Sequence, residues 1–513
     1  MKRKISLLLA AVMAVMSLAG CGEKSKEASN GEAKEYSMFA HNWQVYDGQE
    51  NDRILKHIEE KFNVKLNLTG APSEGWTEKL TLMINTGEVP EMFFFLPNAS
   101  QYRGWCENGV VIAYDDYMEN TEYIKQVFAD KRYGNLSYGG KHYFLPNIGV
   151  GNSHAIYYRK DWLKKVGLEE PKTVEEFEEM LRRFTEEDPD GNGKDDTYGL
   201  SLSKVTGWFA SFYAAFGIRN GWNKDAETGK YLPYFMDEGY CKMLGWLGDM
   251  YKKGYIKNEY FIDTDQQKLD NFYSGQAGVV LANNGGTVDN IVASTKSVNP
   301  NAEIDVLMPP SGPGGEGGMV SFGGFYGGWN ISAEAEEPEV LVSMLDYLLS
   351  PEGQKLKLYG IEGVHYTEED GKIVRNDAEC VAEPNKVFKS DDNGKVTSNY
   401  EIGNYFSTAF LEYTDNGIVA QRDHTALQNL ELALKAEKIS TMNLQVSDTQ
   451  NIIDTSEEFS KIGSKMSDIC EKYTVLIISG QISAEEGMAK INEECKNVGY
   501  DKAEEFMRQK AEE

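Results

Sequence analysis

The densest set of side chains able to do chemistry lies in Asp188-Pro189-Asp190-Gly191-Asn192-Gly193-Lys194-Asp195-Asp196. Counting from Asp188, oxygen-bearing side chains fall at positions 1, 3, 5 and 9. Gly193 stands at position 6, where such a loop turns sharply, and Lys194 at position 7 offers a backbone carbonyl. Calcium takes six to eight oxygens, and alternate residues of a tight loop supply them. Asp188, Asp190, Asn192, Lys194 and Asp196 are therefore candidate ligands of a structural calcium ion. Position 12 is Gly199, so the bidentate carboxylate of an EF-hand is missing. A plain turn also uses Asp, Asn, Pro and Gly, but the regular oxygen spacing favours the metal.

Catalytic signatures are absent. There is no His-Glu-x-x-His, no Gly-x-Ser-x-Gly and no Cys–His framework, and the six histidines are scattered. A glycosidase needs two facing carboxylates. With 81 acidic residues the chain can always offer a pair, so their presence decides nothing. An exported polysaccharide-acting enzyme (a glycosidase or lyase) and a peptide receptor remain open readings. The formal charge of -29 would repel a phosphate backbone, so nucleic acid is a poor partner.

The N-terminus carries an address. Lys2, Arg3 and Lys4 precede an apolar run from Ile5 to Leu18, too short for a stable membrane span. Leu18-Ala19-Gly20-Cys21 matches the bacterial lipobox, which implies cleavage before Cys21 and lipidation of its thiol. Residues 1–20 are then a signal peptide, and 21–35 a lipidated cysteine on a polar, flexible tether. Cys106, Cys241, Cys380, Cys470 and Cys495 remain. Their odd number and wide spacing suit buried thiols better than a disulfide framework.

Strands and helices alternate along the body. Tyr36 to Ala40 reads as a strand, Asp52 starts a helix with Ile54, Leu55, Ile58 and Phe62 on one face, and Val64, Leu66 and Leu68 alternate as a second strand. Met92 to Leu96 is a continuous apolar run, the pattern of a sheet covered on both faces. Later, Ile156 to Tyr158, Gly278 to Ala282 and Ile304 to Leu307 read as strands. Thr173 and Glu176 read as a capping box. From Pro338 the pattern is mostly helical.

Several segments together resemble the family 1 extracellular solute-binding lipoproteins of bacterial ABC importers. They are Ile84-Asn85-Thr86-Gly87-Glu88-Val89-Pro90-Glu91, the run from Tyr157 to Leu168, Phe272 to Gly278, Leu345 to Gln354, and Gly360 to Tyr366. The resemblance implies a two-lobed α/β fold of the periplasmic-binding-protein type (type II), with a helix-rich C-terminal part and a hinge crossed about three times. Mapped by analogy, the crossings fall near Ile148, Ser274 and Gly312. Lobe one is then 36–148 plus 274–312, and lobe two 149–273 plus 313–513. It further implies a monomer that is not an enzyme. Such a protein is lipid-anchored outside the cytoplasm, captures an oligosaccharide between the lobes and hands it to permease subunits. Alginate-oligosaccharide-binding relatives carry a similar calcium loop with an acid just after position 9, where this chain has Thr197.

A sugar ring offers an apolar face and a girdle of hydroxyls, so its site needs flat aromatic surface and planar polar groups. In open sheets ligands bind beyond the carboxyl ends of strands. That rule selects Asn42, Trp43, Trp76, Asn98, Tyr102, Asn147, Trp208, Asn283 and Trp329 as candidate ligand-binding residues. Trp208 also stands where maltodextrin-binding relatives place a stacking aromatic.

Overall fold

The computed structural model describes residues 32–41, 49–71, 75–95, 99–285, 287–313, 317–369, 372–382, 388–390, 396–399, 410–414, 417–421, 429–441, 444–449, 451–452 and 456–512. The signal segment, Cys21, most of the tether, Asn42, Trp43 and Asn98 lie outside the described residues.

The first strand, β1 (Lys34–His41), pairs in parallel with β2 (Val64–Ala71) and β3 (Met92–Phe95). The crossover helix Arg53–Phe62 begins where buried Asp52 accepts hydrogen bonds from the Ile54 and Leu55 amides, at 2.8 and 3.0 Å. This satisfies two of the donors that a helix start leaves open. The helix ends at Asn63, whose left-handed φ of 52° turns the chain into β2. Ile54, Leu55 and Ile58 face the sheet, and all four residues of β3 are buried, as its unbroken apolar run requires.

After β4 (Leu145–Ile148) the chain builds a second sheet. β5 (His154–Arg159) and β6 (Tyr198–Ser201) come first, then a small hairpin of β7 (Trp222–Lys224) and β8 (Tyr231–Pro233). β9 (Ala277–Asn283) and β10 (Ile304–Leu307) follow, and β11 (Phe325–Ile331) returns to the first sheet. The sheet orders are β2-β1-β3-β11-β4 and β10-β5-β9-β6.

This order corrects the expected lobe boundaries. Residues 274–312 do not return to lobe one, because β9 pairs with β5 from His154↔Asn283 to Tyr158↔Val279. The physical reason is reach: only residues 274–276 separate the helix Asp265–Tyr273 from β9, too short a link to change sheets. The chain crosses at 148–154 and at 319–325, and it stands with lobe one up to 421 and with lobe two from 429. On the lobe-one side, Leu411 and Ile418 bond the side chains of Gln354 and Asp130, at 2.6 and 2.8 Å. On the lobe-two side, the helix Leu430–Thr441 buries Ala433, Ala436 and Ile439 with Tyr157, Val280 and Val306 of the second sheet. Among the described residues, those of 34–148 and 325–421 therefore group with the first sheet (lobe one), and those of 154–320 and 429–512 with the second (lobe two). The C-terminal helices Glu457–Ile478, Ala484–Val498 and Tyr500–Glu512 join the lobe-two core through Met466, Ile477, Ile491 and Tyr500.

The first two crossings run side by side. Gly149 donates its N–H to the Gly324 carbonyl, and Phe322 to that of Gly151, both at 2.9 Å. Buried Asn152 ties them: its Nδ2 donates to the Val320 carbonyl at 2.7 Å and its Oδ1 accepts from the His154 N–H at 2.6 Å. A third segment joins through Gln445, which accepts from Ser321 at 2.8 Å and donates to Met319 at 2.7 Å. Gly323 has φ +97° and lies where a Cβ would stand 2.2 Å from Asn451 Oδ1, so this position needs glycine.

Candidate functional site

The start of β5 and the ends of β6 and β9 share one edge of the lobe-two sheet, beside the crossings. A compact cluster stands there. The 3₁₀ segment Thr206–Phe216 follows β6, and half-buried Trp208 lies in its first turn, ahead of the buried run from Phe209 to Phe216. Trp208 Nε1 donates to Asp265 Oδ1 at 2.8 Å, and Ser203 Oγ donates to the same oxygen at 2.6 Å. Asp265 opens the helix Asp265–Tyr273, whose Thr264–Gln267 capping box fixes its start. One turn on, Lys268 sends its ammonium back to lie 3.4 Å from Asp265 Oδ1 and 3.6 Å from the Trp208 ring centroid. The His154 ring lies 4.5 Å from Trp208, and Phe322, from the second crossing, lies 4.8 Å from His154.

Charge in this cluster is set by burial and pairing. The Lys268 side chain is 1% exposed against 45% for Asp265. Burial pushes the Lys268 ammonium down to about 8, against the pull of Asp265. Burial raises the Asp265 carboxyl, but bonds from Ser203 and Trp208 and the Lys268 charge outweigh it and hold the group below its ordinary value. Burial, and then the Lys268 charge, pushes the His154 imidazole down to about 4. The indole is thus held at its edge by a carboxylate and over its face by a cation, a contact that strengthens when water is excluded.

The other candidates fall elsewhere. Asn283 is exposed at the end of β9 on this same edge, and its Oδ1 accepts from Ser153 at 3.2 Å. Asn147 is buried near the end of β4, and its Oδ1 has no partner among the described residues. Trp76, Tyr102 and Trp329 are core residues of lobe one, not ligand platforms. Trp76 packs on Phe94 at 6.0 Å, Tyr102 on Phe144 at 5.3 Å and Trp329 on Phe94 at 5.5 Å. Trp76 and Tyr102 follow strands and Trp329 lies within β11, but their rings fill the space between the first sheet and its helices. Asp265, Lys268, Ser203, His154 and Phe322 were not singled out from sequence. A lysine one turn after an aspartate, on a helix face shared with Phe272, is the signal that could have found the buried pair.

In the Asp188–Asp196 loop the side chains turn inward. Asp188 Oδ1 accepts from the Gly191 and Asn192 amides, each at 3.0 Å, and its Oδ2 from Gly193 at 3.1 Å. The Asn192 amide nitrogen donates to Asp190 Oδ2 at 2.7 Å and to Asp196 Oδ1 at 3.0 Å. Lys194 donates its N–H to Asn192 Oδ1 at 2.7 Å, and Lys165 Nζ donates to the Asp188 carbonyl at 3.0 Å. Burial, the shared contact with Asp188 and the charge of Asp196 raise the Asp190 carboxyl, a crowding of like charge that a cation relieves. Among the described residues, no group of three or more His, Cys, Asp or Glu side chains stands ready to ligate a metal. The donor types fit calcium, and the Asn192 amide must swing its oxygen inward to complete the set.

A model of the bacterial extracellular solute-binding proteins matches residues 53–363, more than half of the 513-residue chain. The chain belongs to this family. This solute-binding protein is similar to YtcQ of Bacillus subtilis, a polygalacturonan/rhamnogalacturonan-binding protein. The two are 26% identical over 389 residues, which is 73% of this chain and 76% of YtcQ. It is also similar to the fructooligosaccharide ABC transporter substrate-binding protein FusA of Streptococcus pneumoniae, 27% identical over 346 residues, 61% of this chain and 62% of FusA. A FusA EF-hand mutant in complex with fructo-nystose superposes with TM-score 0.65 and 19% identity, over 93% of this chain and 98% of that one. An HMO binding solute-binding protein of Bifidobacterium longum infantis superposes with TM-score 0.69 and 18% identity, over 94% of this chain and 99% of that one. These relatives are solute-binding proteins, not enzymes. Among the described residues of this solute-binding protein, no helix is long and apolar enough to cross a membrane.

The His154 environment makes stability depend on pH. Below pH 6.5 an unfolded chain takes up a proton at this imidazole that the folded chain refuses until about pH 4. Stability therefore falls as pH drops through that window. His154→Gln should reduce this fall, seen as a flatter plot of melting temperature against pH. Parallel plots for the two proteins would show that His154 contributes nothing to the acid limb.

Proposed function

We propose that this protein captures an oligosaccharide between its two lobes and delivers it to the permease subunits of an ABC importer. The observation that carries the reading is the Trp208–Asp265 pair at the lobe-two edge, an aromatic surface with a carboxylate at its rim. That pairing offers a sugar ring both a stacking face and a hydroxyl partner. The names of YtcQ and FusA support the ligand class. Phe322 couples the cluster to a crossing segment, so ligand contact there favours the closed arrangement of the lobes. The protein acts as a monomer without turnover.

Trp208→Ala should weaken binding of the cognate sugar by roughly 1–3 kcal/mol, the scale of losing an aromatic face against a ligand. Calorimetry measures the affinity and a melting curve the stability. Unchanged affinity in the folded fraction, together with a lower melting temperature, would return Trp208 to a packing role.

Two further features belong to this reading. Cys21 anchors the protein to the outer face of the cell membrane. Cys21→Ser should leave a folded protein in the soluble fraction, and its persistence in salt-washed membranes would exclude the anchor. The Asp188–Asp196 loop binds a structural calcium ion through Asp188, Asp190, Asn192, the Lys194 carbonyl and Asp196, and the EF-hand of FusA supports this assignment. Calcium should raise the melting temperature after chelator treatment, and Asp190→Ala should abolish the rise. An identical rise in the variant would place the ion elsewhere.

A further inference from the structure

We propose that Asp265 accepts a hydroxyl group from the bound sugar and selects neutral over acidic sugar residues at the lobe-two edge, an inference that rests on the oligosaccharide reading. The argument begins with how the carboxylate is used. Ser203, Trp208 and Lys268 all converge on Oδ1. Oδ2 accepts no hydrogen bond among the described residues. The side chain is 45% exposed while its counter-ion Lys268 is 1% exposed, so a ligand meets the carboxylate and not the ammonium.

The geometry suits a ring with hydroxyls. The Nε1–Oδ1 bond of 2.8 Å sets the carboxylate at the edge of the indole. A sugar stacked on the exposed part of that indole brings its peripheral hydroxyls toward Oδ2. A hydroxyl donates to a carboxylate through a short, charge-assisted bond. A uronate carboxylate at the same place meets like charge, and the buried ammonium cannot turn out to receive it, because it is held over the Trp208 ring at 3.6 Å. His154 adds no positive charge near neutral pH, since burial keeps its imidazole neutral. The overall charge of -29 acts in the same direction at longer range. Similarity alone does not settle the matter, because YtcQ is described as binding polygalacturonan, an acidic polymer, and FusA as binding fructooligosaccharides, which are neutral.

The test uses the full mature protein and a panel of fructooligosaccharides, galactooligosaccharides, and oligogalacturonates paired with their carboxyl-reduced counterparts. A melting screen finds ligands, and calorimetry ranks them. The expected result is a neutral sugar as the tightest ligand, with each oligogalacturonate roughly tenfold or more weaker than its reduced partner. Asp265→Asn should weaken the neutral ligand by roughly tenfold and bring the members of each acid–neutral pair closer together. Lys268 would then lack its counter-ion, so Asp265→Asn combined with Lys268→Met provides a second variant without an unpaired buried charge. It should show the same loss of affinity and the same narrowing. Lys204, exposed beside Ser203, is removed separately as Lys204→Ala, which should leave the preference in place. A tighter fit for the acidic member of a pair, or neutral-sugar affinity unchanged in both Asp265 variants, would overturn the proposal while leaving a sugar receptor. Failure of every sugar to raise the melting temperature would remove the sugar reading and this proposal with it.

Discussion

The side-chain amide of Asn152 bonds to the backbone of both leading crossings at once, and the two lobes are built outward from that tie. Its donor holds the Val320 carbonyl and its acceptor holds the His154 amide. Buried, and bonded through both its nitrogen and its oxygen, it sets the register between the strand that leaves lobe one and the strand that returns to it. That register decides where β5 starts. The start of β5 decides where His154 stands against Trp208, and with it the aromatic edge of lobe two. The hinge thus helps to place His154 and Phe322 in the candidate cluster, while lobe two supplies Ser203, Trp208, Asp265 and Lys268.

The same edge shows how charge can serve position. Lys268 is costly to bury, and its partner Asp265 is only half withdrawn from water. A buried ion pair is weak evidence for stability but fixes a unique arrangement when its remaining bonds are satisfied. Here the remaining bonds come from Ser203 and the indole. Trp208 is thus held at a defined angle by polar contacts, whereas Trp76 and Trp329 pack against Phe94 and Trp105 against Phe93 in lobe one.

Much of the fold was legible because it rests on local rules. The buried Asp52 cap, the alternation of Val64, Leu66 and Leu68, and the unbroken run at β3 each report their own environment. Thr173 caps its helix as expected, although Glu176 reaches back to the Lys172 amide instead of the Thr173 amide. What failed was long-range. An apolar strand of that length suits either sheet, and the short link 274–276 keeps β9 beside β5 only because the helix before it already packs in lobe two. Trp76, Tyr102 and Trp329 lie in the core of lobe one for a related reason. Strand-end position marks a neighbourhood, but whether a ring turns to the cleft or to the core is settled by the helices above it. Trp208 differs because it stands just before the buried run Phe209 to Phe216 and is itself only half-buried.

The third backbone segment at the hinge has a mechanical meaning. Gln445, a lobe-two residue, adds its hydrogen bonds to residues 319–321, which already lie along the first crossing, so the paired link between the lobes is braced by a third backbone segment. A single strand can twist, shear and bend with similar ease. A hydrogen-bonded ribbon resists sliding of one ply past another, because every slip breaks several bonds at once, yet it still flexes across its thin direction. Motion between the lobes is thereby reduced toward one hinge-like coordinate. The two binding edges can change their separation while keeping their alignment, so a ligand that bridges them meets the same residues each time the gap narrows.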